Sequence, residues 1–325
     1  MATIPASLVV AGVGFLVIHN PAGSFVSVRA TSTVQATGKV AKPAQAPDAA
    51  RRPAEPKVAD SFSCTAEQIK KVPAYMERWH AHTKEVRQRS RLLRVDPQTK
   101  CELWDTPRGR YWVVEGNMDT FALALSEEDD DIYRAEGVGV RRGDVVLDCG
   151  AQLGAFTRPA LAAGAALVVA IDVSPRNIVC LSKTFAAEVR KGRVKIYPKG
   201  VWNKDDILEL YEDGQTIGDT VVLHKQSKGT KVPLTTIDRI VEELALPSVD
   251  FIKMDIEGAE VPALQGAAKT LRRFRPRMAI SSYHLPGDAR DVPWAARQAV
   301  PNYWISVPAC KIFHRTDRPI VTLFR

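Results

Sequence analysis

The sequence predicts an α/β fold, a mostly parallel sheet with helices on both faces, and three stretches predict it. In the first, DVVLDCGAQLG at 144–154, a buried strand (Val145–Leu147) runs to an acid at its end, Asp148. A tight turn flanked by Gly150 and Gly154 follows, and then LVVAI (Leu167–Ile171) forms a second strand closed by Asp172. In the second, Thr236 caps a helix with Ile237, Ile240, Val241 and Leu244 on one face, and Val249–Met254 returns as a strand ending at Asp255. In the third, Glu257-Gly-Ala-Glu260 opens a helix with Val261, Leu264, Ala268 and Leu271 on one face, and Met278–Ser282 follow as a strand ending in Tyr283-His284. Apolar strands alternating with helical periodicity give a parallel sheet.

The dimensions agree. A helix over Leu153–Ala163 runs ~16 Å and a five-residue strand about 17 Å, so the first unit closes as β-α-β. Pro159 falls inside that helix, where proline costs ~3 kcal/mol, so the helix kinks or starts late.

Ahead of this core the chain divides in three. Residues 1–28 carry no charged side chain, and Ile4–Ile18 is mostly apolar. It reads as a membrane anchor shorter than the ~20 residues of a full span, as a signal peptide lacking its basic n-region, or as a start-site artefact. Arg29, Lys39, Lys42, Arg51, Arg52 and Lys57 follow it, so an anchor there keeps the rest on the cytoplasmic face. Residues 29–62 are an Ala/Pro-rich basic linker with too little apolar surface to order itself. Over 63–135 a helix and a hairpin pack on the core. Thr65 and Gln68 have capping-box spacing, Ile69, Val72, Met76 and Trp79 share a helical face, and Pro73 is an alternative first turn. Two apolar runs around Glu102–Trp104 and Tyr111–Glu115 flank Thr-Pro-Arg-Gly-Arg. The acids Glu127–Asp131 read as an exposed loop or helix start. The principal domain is 136–325.

Composition narrows the partners. Of 325 residues, 45% are hydrophobic and 25% charged, an ordinary globular balance. The net charge of +8 equals the surplus within residues 29–110, and the remaining residues together hold 28 basic and 28 acidic side chains, a balance that does not mark a nucleic-acid groove. The five cysteines include no Cys-x-x-Cys. They read as reduced thiols of a cytoplasmic protein, free or tethered by the apolar segment. Oligomeric state is not legible.

The turn is Gly-x-x-x-Gly with an acid two residues ahead, unlike the Gly-x-Gly-x-x-Gly that cradles a dinucleotide pyrophosphate. S-adenosylmethionine carries no phosphate but does carry an ammonium and a sulfonium, which suits carboxylates at strand ends. Asp148 and the backbone of Gly150, Ala151, Gln152 and Gly154 are placed for its methionine half. Asp172 is placed for both ribose hydroxyls. Trp202, after a third strand (Arg193–Tyr197), is placed to flank adenine, with Asp255 in the same set.

VVLDCGAQLGAFT, TTIDRI and VDFIKMDIEGAEVPALQGAAKTLRRFRPRMAIS resemble the FkbM family of S-adenosylmethionine-dependent methyltransferases over about residues 100–325. The resemblance implies a Rossmann-like class I methyltransferase sheet of seven strands, S-adenosylmethionine as donor and usually O-methylation. It departs where Gln152 replaces Asn and Asp172-Val173 replace Glu-Pro. Ser281 stands where relatives are often acidic. The implied reaction is in-line transfer to a hydroxyl of a glycan, glycolipid or small metabolite. His284 is the expected base because imidazole titrates near neutrality. Glu257 and Asp255 orient the acceptor, and Glu260 favours its helix N-terminus. No metal site is expected. The rival readings are a nicotinamide-dependent oxidoreductase and a non-enzymatic interaction protein on the same scaffold.

Overall fold

The computed structural model describes residues 62–210 and 229–325, and these fall in one compact unit. The apolar segment and nearly all of the linker lie outside the described residues. Among those residues no helix is long and apolar enough to cross a membrane.

Helix α1 (Ala66–Arg89) begins with the expected reciprocal capping box of Thr65 and Gln68 and carries Pro73 in its interior. β1 (Arg91–Asp96), β2 (Cys101–Thr106) and β3 (Gly109–Val114) form an antiparallel sheet. The β2–β3 hairpin turns where the sequence places it; β1, mostly exposed, gives no such signal. α2 (Met118–Asp129) follows.

The principal sheet begins with β4 (Val145–Cys149), buried throughout. α3 (Thr157–Ala162) starts four residues later than the predicted helix, which places Pro159 in its first turn, where no N–H is needed. β5 (Leu167–Ile171), α4 (Pro175–Thr184), α5 (Ala186–Arg190) and β6 (Val194–Tyr197) continue the alternation. β7 (Gly200–Val201), β8 (Asp206–Leu210) and β9 (Thr230–Thr235) make a separate small sheet. Thr236 caps α6 (Ile237–Glu243), and β10 (Phe251–Met254) follows. The single helix predicted after Glu257 is two, α7 (Glu260–Gln265) and α8 (Ala268–Phe274). Between them a Cβ on Gly266 would lie 2.0 Å from the Trp202 carbonyl, so the chain breaks where another backbone presses on it. β11 (Arg277–Ser281), α9 (Asp288–Ala299), β12 (Ile305–Ser306), the hairpin β13 (Cys310–Phe313) with β14 (Thr316–Pro319), and β15 (Val321–Phe324) complete the domain.

The seven-stranded sheet has the order β12-β15-β11-β10-β4-β5-β6, parallel except that β15 runs antiparallel to β11 and β12. Alternation divides β4 between two cores. Val145, Leu147 and Cys149 pack with α6 to α9, and Val146 packs on the other face.

Four of the five cysteines are paired, Cys64 with Cys310 and Cys101 with Cys180, with Cα–Cα distances of 6.2 and 6.1 Å. This overturns the expectation of reduced thiols. Spacing along the chain gives no hint of bridges that span 246 and 79 residues. Cys149 stays free and buried.

Candidate active site

A cavity of ≈ 410 Å³ opens at the C-terminal ends of β4, β5, β10 and β11, the edge where open α/β sheets bind ligands. One lobe is lined by Gly150, Ala151, Gln152, Asp172, Ser174, Asn177 and Gly200. The other is lined by Met76 and Trp79 of α1, Glu127 and Glu128 of α2, Tyr133, Asp255, Glu257, Tyr283, and Lys311 to Phe313 of β13.

In the first lobe Asp172 is the organising group. It accepts hydrogen bonds from Gln152 N at 2.8 Å, Ser174 N at 2.9 Å and Asn177 Nδ2 at 3.2 Å. Burial pushes its pKa up to about 6 against those bonds. Ser174 Oγ and Asn177 Oδ1 are buried beside it with no hydrogen-bond partner within the protein, and so are open to a water or a polar ligand.

The two glycines of the turn answer to the protein around them. A Cβ on Gly150 would stand 1.9 Å from the Asp255 carbonyl, and one on Gly154 would stand 2.2 Å from the Phe185 ring. Both glycines, at φ +79° and +89°, therefore make room for the protein rather than for a ligand. Gly154 does not line the cavity. Gln152 sits at φ +49°, a left-handed conformation that asparagine tolerates better, which is a physical reason for the residue expected there.

Asp148 lies behind the wall, fully buried. It accepts from Thr157 Oγ1 at 2.6 Å and pairs with Lys253 Nζ at 3.3 Å, its register partner across β10. Lys253 donates at 2.8 Å to the Gly150 carbonyl, so Asp148 reaches the turn only through Lys253. Burial pulls the Lys253 pKa down, but Asp148, Asp255 and Glu128 outweigh it and the ammonium is favoured. Trp202 is also not a lining residue. It packs on Leu210, Val232 and Leu234.

In the second lobe His284 is buried beneath a ring of carboxylates. Its Nδ1 lies 3.0 Å from Glu260, and its Nε2 lies 3.3 Å from Asp255 and 3.6 Å from Glu257. Burial disfavours the imidazolium, but Glu260, Glu257 and Asp255 reverse that and raise its pKa to about 10. These neighbours favour the imidazolium, the form in which His284 holds a proton instead of accepting one. The carboxylate pKa values diverge. Burial pushes Glu257 up to about 7 despite the imidazolium, whereas for Asp255 burial is outweighed by His284, Lys253 and Lys311, and its pKa is lowered. Asp255 also accepts from Tyr133 Oη at 2.9 Å. Glu257 lines the cavity from φ +55°.

Asp255, Glu260 and His284 bring potential ligand atoms within 4.8 Å of one another. However, the imidazole turns different nitrogens to the two acids, and both Glu260 oxygens accept backbone N–H groups, from Ile256 and Gly258. The donor set fits a protonated imidazole rather than an ion.

Sequence reasoning missed much of this lobe. The acids read as an exposed loop place Glu127 and Glu128 in the cavity wall, where burial raises both pKa values, that of Glu128 to about 8. The lysine inside the apolar run FIKM was an available signal, because a lysine in a buried strand requires an acid opposite it.

Residues 148–299 match the profile of the Methyltransferase FkbM domain. A crystal structure of methyltransferase FkbM from Methylobacillus flagellatus KT is similar at 19% identity and a TM-score of 0.43, over 78% of this chain and 60% of that one. A precorrin-6Y C5,15-methyltransferase from Geobacter metallireducens GS-15 is similar at 10% identity and a TM-score of 0.35, over 66% of this chain and 91% of that one. No curated protein sequence matches the chain.

Proposed function

Residues 148–299 form a methyltransferase FkbM domain, and from that premise we propose that the chain methylates a hydroxyl of a sugar-bearing or small polyhydroxylated acceptor, with S-adenosylmethionine as donor. The donor supplies an electrophilic methyl group on a sulfonium. Asp172, with the unpartnered Ser174 Oγ and Asn177 Oδ1, would hold its ribose, and the backbone of 150–152 its methionine half.

Glu257 carries the reading. A carboxylate on the cavity wall with a pKa of about 7 is matched to accept an acceptor hydroxyl's proton at neutral pH. The imidazolium of His284 keeps the neighbouring acids in place. Asp255, ionised and fixed by Tyr133, orients rather than exchanges protons. A base typically adds 10²–10⁴-fold, whereas aligning two reactants supplies ~7–11 kcal/mol, so walls that exclude water and position the acceptor contribute most. Trp79, Tyr283 and Phe313 provide flat apolar faces, and Glu127 with Lys311 provides polar groups able to read ring hydroxyls.

The test is transfer of isotopic methyl from S-adenosylmethionine to fractionated glycan and metabolite extracts, with products identified by mass spectrometry. Parallel titrations with S-adenosylhomocysteine and NADH separate the nicotinamide reading. Binding of NADH alone, or cofactor binding with no acceptor methylated in any fraction, overturns the proposal.

A further inference from the structure

The two disulfides brace the two lobes separately. Cys64, next to the N-cap of α1, is joined to Cys310, the first residue of β13. α1 contributes Trp79 to the second lobe, and β13 contributes Lys311 and Phe313. Among the described residues β13 pairs with β14 alone and is not part of the seven-stranded sheet. Besides the bridge, this wall is tied by Gln68 Nε2 donating to the Val307 carbonyl at 2.6 Å and by the Lys311–Glu127 pair at 3.4 Å. The other bridge fixes β2 to α4, whose first turn carries Asn177 beside Asp172. Cys149 is fully buried in the core, and burial raises its thiol pKa, so no cysteine is left accessible and unpaired.

We propose that this domain works in an oxidising compartment, on acceptors presented there, and that Cys64–Cys310 is the latch of the second-lobe wall. That the domain acts on acceptors at all rests on the proposed function; the bridges and the latch do not. Closing each bridge takes two protons and two electrons from a thiol pair, and these pass to the disulfide oxidants of such a compartment. The glutathione and thioredoxin systems of a cytosol would reverse it. The basic residues behind segment 4–18 favour the opposite placement, but charge is a bias on orientation, whereas a bridge requires an oxidant.

The full chain, made through the secretory route of a eukaryotic host and isolated without reductant, is denatured and treated with N-ethylmaleimide. Alkylation of Cys149 alone is expected, with peptides joined 64–310 and 101–180. Five alkylated cysteines overturn the proposal, as does a tagged full chain that is fully reduced in the cytosol of its own cell. The Cys64→Ser/Cys310→Ser double variant, and its alanine counterpart, should exchange amide hydrogens at least tenfold faster in α1 and β13. Their affinity for S-adenosylhomocysteine should stay within twofold of the parent's. Unchanged exchange in both variants removes the latch. If S-adenosylhomocysteine does not bind the parent at all, the proposed function falls, while the thiol count and the exchange rates still decide this inference.

Discussion

Replacing His284 by glutamine tests whether the carboxylate ring is held by a proton. The side chain is 1% exposed, so its charge is little screened by solvent. A pKa of about 10 in the fold, against 6.5 for free histidine, favours the folded state below pH 6.5, and the advantage is lost as pH rises through 10. At ~1.36 kcal/mol per pKa unit the full contribution is roughly 5 kcal/mol, with about 3 left at pH 8 and well under about 1 at pH 10. That agrees in scale with the ~3–5 kcal/mol lost when one partner of a buried ion pair is removed. Urea unfolding of parent and His284→Gln at pH 6, 8 and 10 should therefore give a stability gap that narrows by roughly 2 kcal/mol between pH 8 and 10. Nearby lysines and tyrosines titrate in both proteins and largely cancel in the difference. A gap independent of pH would mean the imidazole is neutral and would return it to candidacy as the base.

Three further outcomes follow from the cavity. In Glu257→Gln, turnover should fall ~10²–10⁴-fold, and the rise of kcat/KM with pH through about 7 should vanish; a parent-like profile assigns the proton transfer elsewhere. Asp172→Ala should weaken S-adenosylhomocysteine binding at least about tenfold in calorimetry, since charge-assisted bonds are worth ~1.5–3 kcal/mol each, and an unchanged constant removes Asp172 from the site. Gln152→Asn should raise stability by about 0.5–1 kcal/mol in thermal unfolding by easing the φ of +49°, and a loss would show that the longer amide is needed.

Much of the sheet is legible in the sequence because strand burial is a local property. LVVAI and FIKM read as strands whatever they pack against, and Thr236 caps its helix through a bond to the N–H of Arg239 three residues on. What could not be read depends on distant neighbours. Glu127 and Glu128 read as solvated because their surroundings, Lys311 and Tyr133, come from elsewhere in the chain. His284 read as a base because free imidazole titrates near 6.5, and the three acids that shift it become a ring only when β10, α7 and the end of β11 meet.

The glycine turn sharpens the point. Its spacing suggested a backbone approaching a ligand, yet the positions Cβ atoms would occupy are already claimed by the Asp255 carbonyl and the Phe185 ring. The motif locks β4 against β10 and α4 while Gly150, Ala151 and Gln152 still line the cavity. Lys253 reaches the Gly150 carbonyl from one side, and Asp172 takes the Gln152 N–H from the other. A turn held at both ends by buried charges is preorganised before any ligand arrives, which lowers the conformational cost of binding. Asp148, behind the wall, therefore serves the site's rigidity through its buried pair with Lys253, which itself lines the cavity.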